Sequence, residues 1–162
     1  MVMITQEQRR EGINKISRLP GQLRELVQNL SAEQLTTPYL AGEWTVAQNV
    51  HHVADSHMNS YIRVKLILTE AHPTLKPYDQ DAWAELADAD GSNLETSLLI
   101  LAGLHRRWVA LFESLDEAQW HRAGLHPENG EMTVADFVEV YAAHGEAHLD
   151  QIRRTLAAQP MA

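Results

Sequence analysis

The chain has 162 residues, 44% of them hydrophobic and 22% charged, which predicts one domain (1–162) with an ample core. It contains no cysteine, which excludes a disulfide framework, a cysteine zinc site, an iron–sulfur cluster and a thiol nucleophile, and which fits a reducing compartment. Thirteen basic against 22 acidic residues give a net charge of -9, a field that opposes nucleic acid and anionic lipid as partners. The Met1–Glu11 stretch is polar, without the apolar segment of a signal peptide, and no run of about 18 apolar residues offers a membrane span. A cytoplasmic protein is the expectation. Nine histidines are the conspicuous feature of the composition.

The pattern predicts helix nearly throughout and no strand of useful length. A first helix covers Thr5 to Leu30, disturbed at Pro20-Gly21, where a helix interior loses a hydrogen bond. Ser31-Ala-Glu-Gln34 has the spacing of a capping box and opens a short turn of helix. The second long helix starts at Thr45, again with glutamine three residues on, and runs to about Thr69. His72 to Asn93 is a long connection carrying Pro73, Pro77 and Gly91, with a short helix near Gln80–Leu86. Ser92 with Glu95 caps the third helix, which ends near Ser114. Asp116 to Gly130 is irregular and closes on an Asn129-Gly130 turn. The fourth helix runs from Thr133 to about Ala158. Four helices of this length predict an all-α four-helix bundle with a long crossover connection.

In the fourth helix Val134, Phe137, Val138, Tyr141, Gly145, Leu149, Ile152 and Leu156 share one arc, and His144 and His148 lie with them. A four-residue spacing stacks two imidazoles one turn apart on one face, so both can reach one ion. Two hydrogen-bonded core histidines would show the same spacing. A His-Glu-x-x-His metalloprotease motif is excluded, because Gly145, Glu146 and Ala147 lie between them. The second helix offers His51, His52 and His57. Its apolar stripe (Val46, Val50, Val53, Tyr61, Val64, Leu68) contains His57, whereas His52 lies nearly opposite with Gln48, Asp55 and Asn59. Periodicity thus points His57 inward and places His51 and His52 on a solvated face. His72, His105, His121 and His126 read as surface or partly buried structural residues. Trp44, Trp83, Trp108 and Trp120 read as packing anchors, Tyr61 as packed on the stripe, and Arg63 as paired with a surface carboxylate.

The block Gly42-Glu-Trp-Thr-Val-Ala-Gln-Asn-Val-His-His-Val-Ala-Asp-Ser-His-Met-Asn-Ser-Tyr-Ile-Arg63 resembles the DinB superfamily, in particular its YfiT-like branch. Lys76-Pro-Tyr-Asp79, Trp83 and Tyr141-x-x-His-x-x-x-His148 are similar to that branch as well. The resemblance implies a bundle of antiparallel and parallel helices and a divalent metal held by three histidines; imidazole ligands suit zinc, nickel, copper or iron, with zinc or nickel expected first. Carried onto this sequence, the ligands are His52, His144 and His148. The resemblance therefore selects His52 where periodicity selects His57, with Asp55 and His57 as candidates for contact with the ligands. Gly145-Glu-Ala147 departs from the branch, which can carry further histidines there, and leaves the ligand positions intact.

Three neutral imidazoles leave a coordination position open. A metal there lowers the pKa of bound water from 15.7 toward about 7, or holds a thiol as thiolate. The resemblance accordingly implies a metal-dependent hydrolase or a low-molecular-weight-thiol S-transferase, acting on a small molecule as a homodimer. The alternative is a non-catalytic, stress-related bundle that binds a metal or small ligand.

Overall fold

The computed structural model describes residues 4–89 and 91–160. Its elements are α1 (Gln6–Val27), α2 (Ala32–Thr36), α3 (Val46–Thr69), α4 (Gln80–Ala84), α5 (Glu95–Glu113), α6 (Glu117–Trp120), β1 (Ala123–His126), β2 (Gly130–Thr133) and α7 (Val134–Ala157). Thr5, Ser31, Thr45, Asp116 and Thr133 begin α1, α2, α3, α6 and α7. In each case the cap side chain accepts from the third helical N–H, and that residue's side chain returns to the cap N–H. The expected cap at Ser92 is absent. Helix α5 starts after Leu94 with no side-chain cap, and Glu95 is drawn instead into a two-pronged pair with Arg24 of α1 at 2.8 and 3.0 Å.

The long helices pack as a four-sided bundle in which α1 and α3 each touch α5 and α7, so α1 faces α3 across the centre. The bundle is stapled closely in places. A Cβ on Gly12 would lie 2.5 Å from Val138 Cγ1, and one on Gly145 would lie 2.6 Å from Leu19 Cδ2, so α1 and α7 meet over glycine.

The expectation of no strand is corrected by the hairpin of β1 and β2, antiparallel from the Ala123–Thr133 pair to the His126–Gly130 pair. It turns at Gly130, whose φ of +76° suits glycine. Neither strand has the Val- and Ile-rich alternation that identifies strands by sequence. What holds them is partly tertiary: Leu75 N–H donates to the Leu125 carbonyl and Leu125 N–H to that of Pro73, so the crossover lies along β1. Arg122 anchors the same end, donating to the Ile67 and Glu70 carbonyls at the C-terminus of α3 at 2.8 and 2.6 Å.

Helix α1 is also a correction, because it runs unbroken through Pro20. Proline has no N–H to offer the carbonyl four residues back, that of Ile16. His105 Nδ1 of α5 donates to that carbonyl at 2.6 Å and so replaces the missing bond.

The core has two halves. One is aliphatic, built on Leu19, Leu23, Val46, Val50, Val53, Leu98, Leu101, Leu149 and Ile152. The other is rich in aromatic rings, with Tyr61, Trp108, Phe112, Trp120, Phe137 and Tyr141. On α3, α5 and α7 the halves part at His57, at His105 and at His144 respectively, and on α1 the Ile16 carbonyl lies at the same level. A polar layer thus crosses the bundle between two apolar ones.

Candidate metal centre

His52, His144 and His148 converge at the edge of this layer, each with one ring nitrogen within 4.8 Å of the others. His144 Nε2 lies 3.2 Å from His52 Nε2 and 3.2 Å from His148 Nε2. For Zn–N bonds of 2.0–2.1 Å, neighbouring corners of a tetrahedron are about 3.3–3.4 Å apart, so the two distances to His144 suit one small divalent ion, and the third pair lies within 4.8 Å.

The orientation of His148 follows from its neighbour. Fully buried Asn49 gives its Nδ2 to the Trp44 and Thr45 carbonyls, and its Oδ1 accepts from His148 Nδ1 at 2.7 Å. With the proton on Nδ1, a neutral His148 turns a bare Nε2 toward the other rings. Trp44 covers the outer side, its ring 4.6 Å from that of His52 and nearly parallel to that of His148 at 6.2 Å.

The chemistry is that of neutral imidazole. Burial pushes His52 down to about 3, with His148 adding to the shift. It pushes His144 down to about 3, with His148 and His52 adding, and His148 to about 4. Rings that are uncharged at neutral pH have lone pairs to offer a cation. No carboxylate belongs to the cluster among the described residues. Asp55 is half-buried, and its carboxyl is raised above its usual range by burial and by Asp88.

His57, the residue that periodicity turns inward, is fully buried, but both of its nitrogens are already engaged. Nδ1 meets His105 Nε2 at 3.0 Å and Nε2 meets His144 Nδ1 at 3.1 Å. It therefore touches a member of the cluster without joining it. The solvated face expected for His51 and His52 is also corrected, since both are buried. Two short helices, α2 and α4, pack against α3, and Gln48 on its polar face donates to the Ala84 carbonyl of α4. A wheel drawn for one helix against one core cannot register such cover. His51 itself points away from the cluster, to Ser97 Oγ at 2.8 Å and the Gly91 carbonyl at 3.0 Å.

Two further residues belong elsewhere than expected. His105 is 1% exposed rather than at the surface or partly buried. Its signal was its spacing with Leu98, Leu101, Trp108 and Phe112, masked by the charged Arg106-Arg107 that follows. Arg63 is buried and caps the Lys76 carbonyl from Nε and Nη2 at 3.2 and 2.6 Å, with no carboxylate partner among the described residues. Asn49 was inside the distinctive block without a role of its own, and Trp44, read there as a packing anchor, instead flanks the cluster. Trp108 and Trp120 are packing anchors as expected, whereas Trp83 is 36% exposed.

Among the described residues no helix is long and apolar enough to cross a membrane. Residues 15–152 match the family model of the DinB superfamily. A protein of Bacillus mycoides named "putative metal-dependent hydrolase" is 46% identical over 156 residues, 94% of this chain and 90% of that protein. A Bacillus anthracis protein of the same name matches with the same identity and coverage. Among solved structures, YfiT from Bacillus subtilis is 40% identical and superposes with a TM-score of 0.91 over 96% of this chain and 89% of its own. It is described as a probable metal-dependent hydrolase with an unusual four-helix bundle topology.

Proposed function

The chain belongs to the DinB superfamily, and on that premise we propose that it is a metal-dependent hydrolase whose His52, His144 and His148 hold one divalent ion, zinc or nickel. The observation that carries the reading is the meeting of three neutral imidazoles, two of them 3.2 Å from the third and all three within 4.8 Å of one another. Names of relatives that are 46% identical support it.

A divalent ion in such a site lowers the pKa of a coordinated water toward about 7. The chain's own part is to fix the donors before the ion arrives. Asn49 holds His148, His57 holds His144, and Trp44 shields His52 and His148 from bulk water. Three protein donors would leave one coordination corner for a water or a small substrate. A low-molecular-weight thiol would fit that corner equally, which makes S-transfer the second activity to assay.

The test is elemental analysis of untagged protein beside four single variants. We expect about one metal per chain in the wild type. It should be lost in His52→Ala, His144→Ala and His148→Ala and largely kept in His57→Ala. Loss in the 57 variant with retention in the 52 variant would transfer the ligand role to His57. Wild-type protein that stays metal-free after incubation with zinc and with nickel would overturn the proposal. With metal in place, product formed by water addition or by thiol conjugation separates the two activities.

A further inference from the structure

The inner histidines, His57 and His105, lie outside the three-histidine cluster, yet they are joined to it by an unbroken line of contacts. We infer that Pro20, His105 and His57 form a positioning relay that fixes the tautomer of His144 and aims its bare Nε2 at the metal point. The inference rests on the three-histidine reading above and assigns its control to residues up to four contacts away.

The argument begins at an atom with no freedom. Pro20 leaves the Ile16 carbonyl without a helical donor, and a carbonyl oxygen can only accept. His105 Nδ1, 2.6 Å away, must therefore carry its proton. Buried among apolar side chains the ring is neutral, so its Nε2 has none. That bare Nε2 lies 3.0 Å from His57 Nδ1, which must then be the donor. His57 is neutral for the same reason, so its Nε2 is bare and accepts from His144 Nδ1 at 3.1 Å. His144 is left with a bare Nε2, and that is the atom 3.2 Å from the Nε2 atoms of His52 and His148. One proton sits in each link, all oriented alike, and none remains for the contact between His144 and His148. Asn49 independently imposes the same tautomer on His148. All four long helices enter the relay, α1 by a backbone carbonyl that only a proline at position 20 sets free.

His57 and His105 are positioning residues, and the experiment separates that role from mere packing. Nitrogen-15 spectra of histidine side chains would be recorded on wild-type protein with and without zinc. Zinc affinity would be measured by chelator competition for wild type, His57→Phe and His57→Gln. The relay predicts protonated Nδ1 and unprotonated Nε2 at residues 57, 105 and 144 when zinc is bound, and at 57 and 105 without it. It predicts roughly 10–100-fold weaker zinc binding in His57→Phe. In His57→Gln, whose amide again offers one donor and one acceptor, affinity should return to within about threefold of wild type. Equal affinity in His57→Phe, or a proton on Nε2 of His57 or His105, would overturn it. The tautomer spectrum needs no metal and no variant, so it decides the relay even where His57→Phe fails to fold. A wild type that takes up no zinc but shows these tautomers would overturn the proposed metal function alone.

Discussion

Five histidines, three of them buried and two (His144 and His148) half-buried, lie in continuous contact, and the inner and outer members differ in one respect. Between His105 and His57, and between His57 and His144, one proton lies in each nitrogen–nitrogen contact. Where His144 meets His148, both rings have spent their proton elsewhere, on His57 and on Asn49. The inner contacts are complete hydrogen bonds that need nothing more. The outer one sets two lone pairs 3.2 Å apart, an arrangement that favours a cation between them. Residue type alone does not distinguish a structural histidine from a candidate ligand. The distinction lies in where the supply of protons along the chain of rings runs out.

The broadest challenge to this comparison is pH. In chelator-treated protein, burial holds His52 and His144 at about 3 and His105 and His148 at about 4, against about 6.5 for an unfolded imidazole. The folded values lie below the unfolded one, so between them the unfolded chain binds the extra protons. Stability is therefore fully present above pH 6.5 and is lost as pH falls toward the folded values. Each such histidine contributes a slope of about 1.4 kcal/mol per pH unit within that window. We expect the melting temperature of the metal-free protein to be level from pH 7 to 8 and to fall steeply below pH 6. A level profile down to pH 4.5 would mean that these rings are charged or wet in the folded state.

A smaller effect isolates the inner pair. His105→Leu strands two groups, the Ile16 carbonyl and His57 Nδ1–H; His57→Leu strands His105 Nε2 and His144 Nδ1–H. At about 1–3 kcal/mol for each buried orphan, either change is costly. The double variant also strands only two groups, Ile16 O and His144 Nδ1–H. Its cost in denaturant unfolding should match that of one single variant, with a coupling energy of about 2 kcal/mol or more. Additive costs would mean that the two rings do not share a proton.

Three of the four long helices, and the short α2, were legible in the sequence because their starts are chemical, whereas α5 has no side-chain cap. Thr5, Ser31, Thr45 and Thr133 each stand three residues before a side chain able to complete the cap. His144 and His148 were legible from their spacing within a single helix. His52 was not, because its burial depends on α2, α4 and Trp44, which are brought against α3 only by the tertiary fold. It was reached by resemblance instead. The hairpin was illegible for a related reason: its pairing with Pro73 and Leu75 lies in no local pattern. Pro20 was read as a disturbance, as proline in a helix ordinarily is. Its partner lies 85 positions away, at His105 on another helix.

The mildest variant, Pro20→Ala, bears most directly on that point. In an ordinary helix interior this change is worth about 3 kcal/mol, since alanine supplies the missing N–H and removes the ring. Here the Ile16 carbonyl already has a donor in His105, so the new N–H completes an acceptor that is not empty. We expect a gain well below that figure, a rise of no more than about 5 °C in melting temperature for a chain of this size. At the same time the alanine N–H competes with His105 for the carbonyl, which loosens the first link of the relay. Stability should therefore rise while zinc affinity falls, two readouts moving in opposite directions from one substitution. A gain of the full ordinary size, with zinc affinity and the His105 tautomer both unchanged, would show that the proline does not set the orientation of the rings and that the relay starts at His105 itself.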